Sequence, residues 1–205
     1  MQDFDLANRN DFLTIIHQQS ELMISIINEL LDLVRIEERR GADFIFETLD
    51  LAVVANEALS GFSPADNRPP AMVVPPSRPL YVNADHTKLL QAITNLSSNA
   101  YKYSPQGGDI NISFSRTTVD GTPMVGVEIE DHGIGMTPAQ SARVCERFYR
   151  VDPSGHIPGT GLGMSIVKEI IDIHHGHIDI RSSFGQGTTM TIYLPELAPG
   201  QGGVV

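Results

Sequence analysis

The amino-acid sequence predicts an α+β fold: a two-layer α/β sandwich, in which a mixed sheet is covered on one face by helices, preceded by a long N-terminal helix. Three observations predict it. Apolar residues recur at three- and four-residue steps through the first forty positions. Strand and helix signals then mix without strict alternation, which argues against a doubly wound sheet. Two hairpin signals, Asp120-Gly121 and the turn around Gly185 and Gly187, join strands in the second half.

The first helix is written by Phe12, Ile15, Ile16, Leu22, Met23, Ile26, Ile27, Leu30, Leu31 and Val34, with Gln18, Ser25, Asn28, Glu29, Asp32 and Arg35 filling a polar face. Arg39 and Arg40 suit the negative end of a helix, and Gly41 closes it. A stripe of about six turns needs a partner. The reading favoured is half of a helical hairpin or dimer bundle; the other is a helix lying on its own domain. Phe44-Ile45-Phe46 and Thr48-Leu49 suggest a strand, and Leu51 to Leu59 a helix. Six prolines between Pro64 and Pro79 exclude a long helix and leave loop with short strand pieces. Leu80-Tyr81-Val82 reads as a strand and 85–103 as a strong helix. Strands follow at 109–116 and 124–131, helices at 138–147 and 162–175, and a final hairpin at 177–183 and 188–194. The domains expected are a helical segment over 1–42, a globular domain over 43–196, and a disordered tail over 197–205.

Composition narrows the function. The chain has 205 residues and a net charge of −11, which disfavours general binding to nucleic acid or anionic lipid. Apolar runs are only a few residues long, short of the roughly 20 that a membrane span needs. Cys145 is the single cysteine, so neither an intrachain disulfide framework nor a Cys-rich zinc site is expected. No secretion leader is read at the start, and a soluble, cytoplasmic segment without direct membrane contact is expected, whether free or part of a chain anchored elsewhere.

Four motifs carry chemistry. On the 85–103 helix, with Asn95 at zero, Asn99 falls at about 40° and Lys102 at about −20°, while Leu89, Ile93, Leu96 and Ala100 lie at about 100–160° on another face. One side is core, and the other aligns two carboxamides and an ammonium. An amide oxygen can ligate Mg²⁺ whose other ligands are phosphate and water, and a lysine can neutralise phosphate charge. The second motif is Asp131-His132-Gly133-Ile134-Gly135-Met136, after an apolar strand. Its carboxylate can accept from an exocyclic amine such as adenine N6 and would repel a keto oxygen. Third, Gly159-Thr160-Gly161-Leu162-Gly163 leads into a helix, a phosphate-cradle pattern that matches neither the dinucleotide fingerprint nor the P-loop. Fourth, Gly185-Gln186-Gly187-Thr188-Thr189 forms the last turn.

In order and spacing these motifs resemble the ATP-binding catalytic domain of sensor histidine kinases, in the superfamily shared with DNA gyrase and MutL. Asn95 to Pro105 resembles the N box, Asp131 to Met136 the G1 box, Arg147-Phe148-Tyr149-Arg150-Val151-Asp152 the F box, Gly159 to Gly163 the G2 box, and Gly185 to Thr189 the final Gly-Thr turn. The likeness covers roughly residues 44–195. It implies ATP and Mg²⁺ as cofactors, bound under a flexible lid over 153–158. By this resemblance Asn99 coordinates Mg²⁺, Asn95 sits at the phosphate side, and Lys102 and Arg150 contact phosphates, so Asn95, Lys102 and Arg150 are the catalytic candidates. Tyr103 packs near adenine or ribose. Asp131 accepts from the adenine amine with Thr188 or Thr189 assisting through water, Gly133 and Gly135 let the base approach, and Gly159, Thr160, Gly161, Leu162 and Gly163 close over the phosphates.

Leu22 to Glu37 resembles the second helix of the family's dimerisation and phosphotransfer hairpin. His17 is followed by Gln18-Gln19-Ser20 rather than an acid, Arg and Pro, and it lies too close to that signature to be the acceptor. The resemblance therefore implies a histidine on a first helix absent from this chain, either because the chain is a fragment or because it serves another chain. It also implies a homodimer through the hairpin and a response-regulator receiver domain as partner. The rival is a nucleotide-binding platform that acts by protein contact without turnover. A gyrase-like ATPase is disfavoured, since Asn95 stands where a Glu activates water and an amide cannot accept that proton. His174-His175-Gly176-His177 reads as a helix-to-strand junction, His86 as a helix start and Cys145 as a helix residue.

Overall fold

Helix α1 (Gln2–Arg39) opens the chain and ends where Arg40 and Gly41 adopt left-handed backbone, φ 45° and 78°. The computed structural model describes residues 2–60 (for 2–8, 10 and 18 the backbone alone), 68–105, 107–152, 157 and 159–198. Strand β1 (Phe46–Asp50) and helix α2 (Leu51–Ser60) follow, then β2 (Met72–Val73), β3 (Tyr81–Asp85) and helix α3 (His86–Lys102). The second half holds β4 (Asn111–Val119), β5 (Thr122–Asp131), α4 (Pro138–Ser141), α5 (Gly163–Ile173), β6 (His177–Ser183) and β7 (Gly187–Pro195).

Five strands form the main sheet in the order β2-β4-β5-β7-β6. Only β2 runs parallel to its neighbour; the other pairings are antiparallel, so the sheet is mixed, as the sequence predicts. The β4–β5 turn is the expected one: Asp120 and Gly121 both take positive φ, 49° and 81°, which matches the twist of a tight hairpin. Along β5, Val125, Val127 and Ile129 face inward and meet Leu194, Ile192 and Met190 of β7. Helices α2, α3 and α5 cover that face with Leu51, Val54, Leu89, Ile93, Leu96, Ile166, Val167 and Ile170, none more than 1% exposed. The opposite face is polar. There Asn111 donates to Glu130, and Thr191 and Arg181 both bond Glu128.

Three features depart from the expectation. First, β1 pairs with β3 in a separate two-stranded ladder, and it starts at Phe46, opposite Asp85 at the end of β3. Phe44 is left to pack on the ring of His174. Second, the helix expected over 138–147 ends at Ser141. Thr137 caps it and Pro138 starts it, but the chain then turns tightly through Arg143→Gln140 and Glu146→Arg143 bonds, which buries Val144 and leaves Cys145 half-buried outside any helix. Third, α1 divides its apolar surface. Leu33 and Ile36 are buried in the common core, whereas Phe12, Ile16, Met23, Ile27, Leu31 and Val34 are exposed. Leu197 donates its amide to the Tyr81 carbonyl; residues 199–205 of the expected tail and most of the expected lid, 153–156 and 158, lie outside the described residues.

Candidate functional site

A cavity of about 300 Å³ opens between α3, the ends of β5 and β7, the loop before α5, and α1. Helix α3 forms its long wall. Asn95 and Tyr103 are eight residues apart on it, about 12 Å at the helical rise. At the Asn95 end lies the start of α5, where the Asn95 amide donates to the Gly163 carbonyl at 3.5 Å. At the Tyr103 end lies the loop after β5, where Ile134 donates its amide to the Tyr103 carbonyl at 2.9 Å. The two ends are far enough apart to hold the base and the phosphates of one nucleotide.

Asp131 is the last residue of β5, on the inward face, opposite Thr188. It is 8% exposed, and its Oδ1 accepts from the Gly133 amide at 2.8 Å. Burial pushes its carboxyl above the ordinary value, against the backbone amides of Gly133 and Thr188 and the nearby His132, which pull it down. Ile129, Met190 and Met136 line the cavity beside it. An acceptor set in an apolar slot suits a flat heterocycle that presents a donor edge. Tyr103, raised in pKa chiefly by burial and opposed by Arg150, is a neutral phenol on the same wall.

Most of the residues singled out by sequence line this one cavity: Asn95, Asn99, Lys102, Tyr103, Asp131, Gly135, Gly159, Thr160, Gly161, Gly163 and Thr188. Four do not. Thr189 alternates onto the outer sheet face opposite Glu130, so only Thr188 of the pair points inward. The Leu162 side chain is fully buried in the core, and its amide bonds the Thr160 hydroxyl at 3.2 Å. The Arg150 guanidinium donates to the Ile157 carbonyl. Gly133 has another reason to be glycine: a Cβ there would sit 2.0 Å from the Tyr103 carbonyl oxygen and 2.9 Å from Asp131 Oδ1. Gly135, at φ 60°, would bring a Cβ equally close to the Ser183 carbonyl. Both glycines let protein backbone close on itself around Asp131, where the sequence suggests room for a base.

Helix α1 supplies a wall that sequence reading missed. Leu22, Ser25 and Glu29 line the cavity. The Thr160 hydroxyl donates to Glu29 Oε2 at 2.5 Å, and Ser25 donates to Glu29 Oε1 at 2.8 Å. Glu37, two turns on, pairs with Arg147. The signal was available: positions 22, 26, 29, 33 and 36 make a three-four seam that is apolar except at Glu29. The histidine run is structural at its centre. His174 is 2% exposed, its Nε2 accepts from the Asp85 amide at 2.9 Å, and its Nδ1 donates to the Ile170 carbonyl at 2.7 Å. Among the described residues no group of three His, Cys, Asp or Glu is placed to hold a metal, and no helix is long and apolar enough to cross a membrane.

Comparison with known proteins agrees with this geometry. Residues 84–198 match the family model described as histidine kinase-, DNA gyrase B- and HSP90-like ATPase. The chain is 34% identical over 194 residues to the sensor histidine kinase WalK of Bacillus subtilis (strain 168), covering 93% of this chain and 31% of that protein. It is 36% identical over 183 residues to the sensor-like histidine kinase SenX3 of Mycolicibacterium smegmatis, covering 87% of this chain and 46% of that one. Among solved structures it resembles a mycobacterial sensor histidine kinase, MprB, with a TM-score of 0.59 and 28% identity, over 74% of this chain and 98% of that one. The chain belongs to the histidine kinase-, DNA gyrase B- and HSP90-like ATPase family. Within that family it carries the catalytic ATP-binding domain of a sensor histidine kinase, and it spans less than half the length of these two curated relatives.

Proposed function

We propose that this chain is the ATP-handling catalytic part of a two-component sensor histidine kinase. It transfers the γ-phosphoryl group of Mg·ATP to a histidine on a hairpin helix from outside this chain, for onward transfer to an aspartate of a response-regulator receiver domain. The observation that supports it most is that one cavity has a buried carboxylate, Asp131, at one end and two carboxamides, Asn95 and Asn99, along the wall toward the other. In this reading Asp131 selects adenine, Asn99 and Asn95 face the phosphate side, and Lys102 at the rim neutralises charge. These residues fit the group: hard, neutral oxygen donors suit Mg²⁺, which keeps several waters and bridges phosphate oxygens. Bound Mg²⁺ would supply charge neutralisation at the transferring phosphoryl group. The protein's own contribution is positioning and exclusion of water. The exposed apolar face of α1 is the surface for the partner helix and for dimerisation.

His17 is exposed and does not line the cavity, in keeping with an acceptor histidine on a helix outside these residues. The deciding experiment mixes this chain with a histidine-bearing hairpin and ATP labelled in the γ-phosphate. The expected result is an acid-labile label on the hairpin and none on this chain alone. Binding of ATP without transfer to any hairpin would instead establish the platform reading.

A further inference from the structure

We propose that α1 contributes a specificity-determining carboxylate to the nucleotide cavity: Glu29 holds Thr160 of the loop before α5 and opposes a bound polyphosphate in proportion to its charge. The inference rests on the reading of this cavity as a nucleotide site. Glu29 is half-buried in a helical seam whose other members, Leu22, Ile26, Leu33 and Ile36, are apolar. Both of its oxygens accept from neutral hydroxyls, those of Ser25 and Thr160, and neither hydroxyl cancels its charge. Thr160 in turn accepts from the Leu162 amide, so two hydrogen bonds in series link Glu29 to the backbone that opens α5. It lines the same cavity as Asn95, Asn99 and Gly163, the groups at the phosphate side.

Two consequences follow from this placement. A carboxylate beside a phosphate tail is a like-charge contact in a site only partly open to water, where it is far less screened than on a surface. The repulsion grows with each added phosphate, so the helix discriminates among nucleotides by charge while Asp131 discriminates by base. Because coupling is reciprocal, a triphosphate that weakens the Glu29–Thr160 contact also weakens the hold of the domain on α1.

The test is calorimetric titration of the whole chain and of Glu29→Gln with adenosine, ADP and ATP in the presence of Mg²⁺. Glutamine keeps an oxygen for Thr160 and removes the charge, while its NH₂ replaces the oxygen that faces Ser25, a change common to all three ligands. The expected result is an affinity gain on the order of tenfold for ATP, a smaller gain for ADP and none for adenosine. That advantage should shrink in about 0.5 M salt. An equal gain for all three ligands, no gain, a loss for ATP, or an advantage indifferent to salt would each overturn the inference while wild-type binding of ATP stands. Absence of ATP binding by the wild type would overturn the nucleotide reading itself.

Discussion

Replacing Asp131 with asparagine separates what this residue does for the ligand from what it costs the protein. The Gly133 amide needs an oxygen at Oδ1, and asparagine supplies one, so the loop after β5 keeps its 2.8 Å bond. The other carboxylate oxygen becomes an NH₂, which turns an acceptor into a donor facing a donor on adenine. Loss of a hydrogen bond to a charged group is worth about 1.5–3 kcal/mol, and the unpaired amine adds to it, so ATP affinity should fall by on the order of 10². GTP, with a keto oxygen at that edge, should lose nothing and gain modestly. Stability should move the other way. Burial raises the Asp131 pKa, so the folded state binds the proton more tightly than the unfolded chain does. Its favourable contribution is therefore complete below the ordinary carboxylate pKa and is lost as pH rises through the folded value. Above that folded value the ionised carboxylate is a burden on the protein, and there Asp131→Asn should match or exceed the wild-type melting temperature. Calorimetry with ATP and GTP, beside melts at pH 4, 5.5 and 7, checks both halves. A variant that kept its ATP affinity, or that lost both ligands and its melting temperature together, would refute the assignment.

Other outcomes follow from the same structure. Burial lowers the His174 pKa below that of a free imidazole, so the unfolded chain takes up a proton first as pH drops. Stability should be full above about pH 6.5 and fall below it by up to about 1.4 kcal/mol per pH unit, a slope that His174→Gln flattens in denaturant titrations. Gly133→Ala should destabilise the protein by about 1–3 kcal/mol in urea unfolding, since the added methyl meets the fixed Tyr103 carbonyl. Ile16→Lys with Ile27→Lys on the exposed face of α1 should leave the melting temperature within a few degrees and abolish association with a hairpin partner in sedimentation, because both side chains are more than half exposed.

The parts legible in the sequence are those fixed by local chemistry. The Asp120-Gly121 turn, the α3 helix with its two asparagines on one face, and Asp131 at a strand end each follow from periodicity or turn chemistry over a few residues. The misreadings arose where a distant neighbour decides the outcome. Helical spacing sorted α1 into apolar and polar faces and put Ser25 and Glu29 on the polar one, yet α5 packs on the seam at Leu33 and Ile36 and both polar residues line the cavity. The helix over 138–147 has the composition to continue, but after Ser141 it gives way to tight turns that leave Val144 buried. At Gly133 and Gly135 the glycine requirement was visible and its cause was not, because the atoms that demand it are carbonyls of Tyr103 and Ser183, far away along the chain.

The seam between α1 and α5 bears on how this polypeptide can be divided. A cut after Gly41 falls between two regions that look separate in composition, and it would strip Leu33 and Ile36 from the interior and Leu22, Ser25 and Glu29 from the nucleotide slot. The shortened piece would keep its strands and its Asp131 but wet one flank of the slot. Nucleotide affinities measured on it would describe a site missing a side that the intact chain supplies.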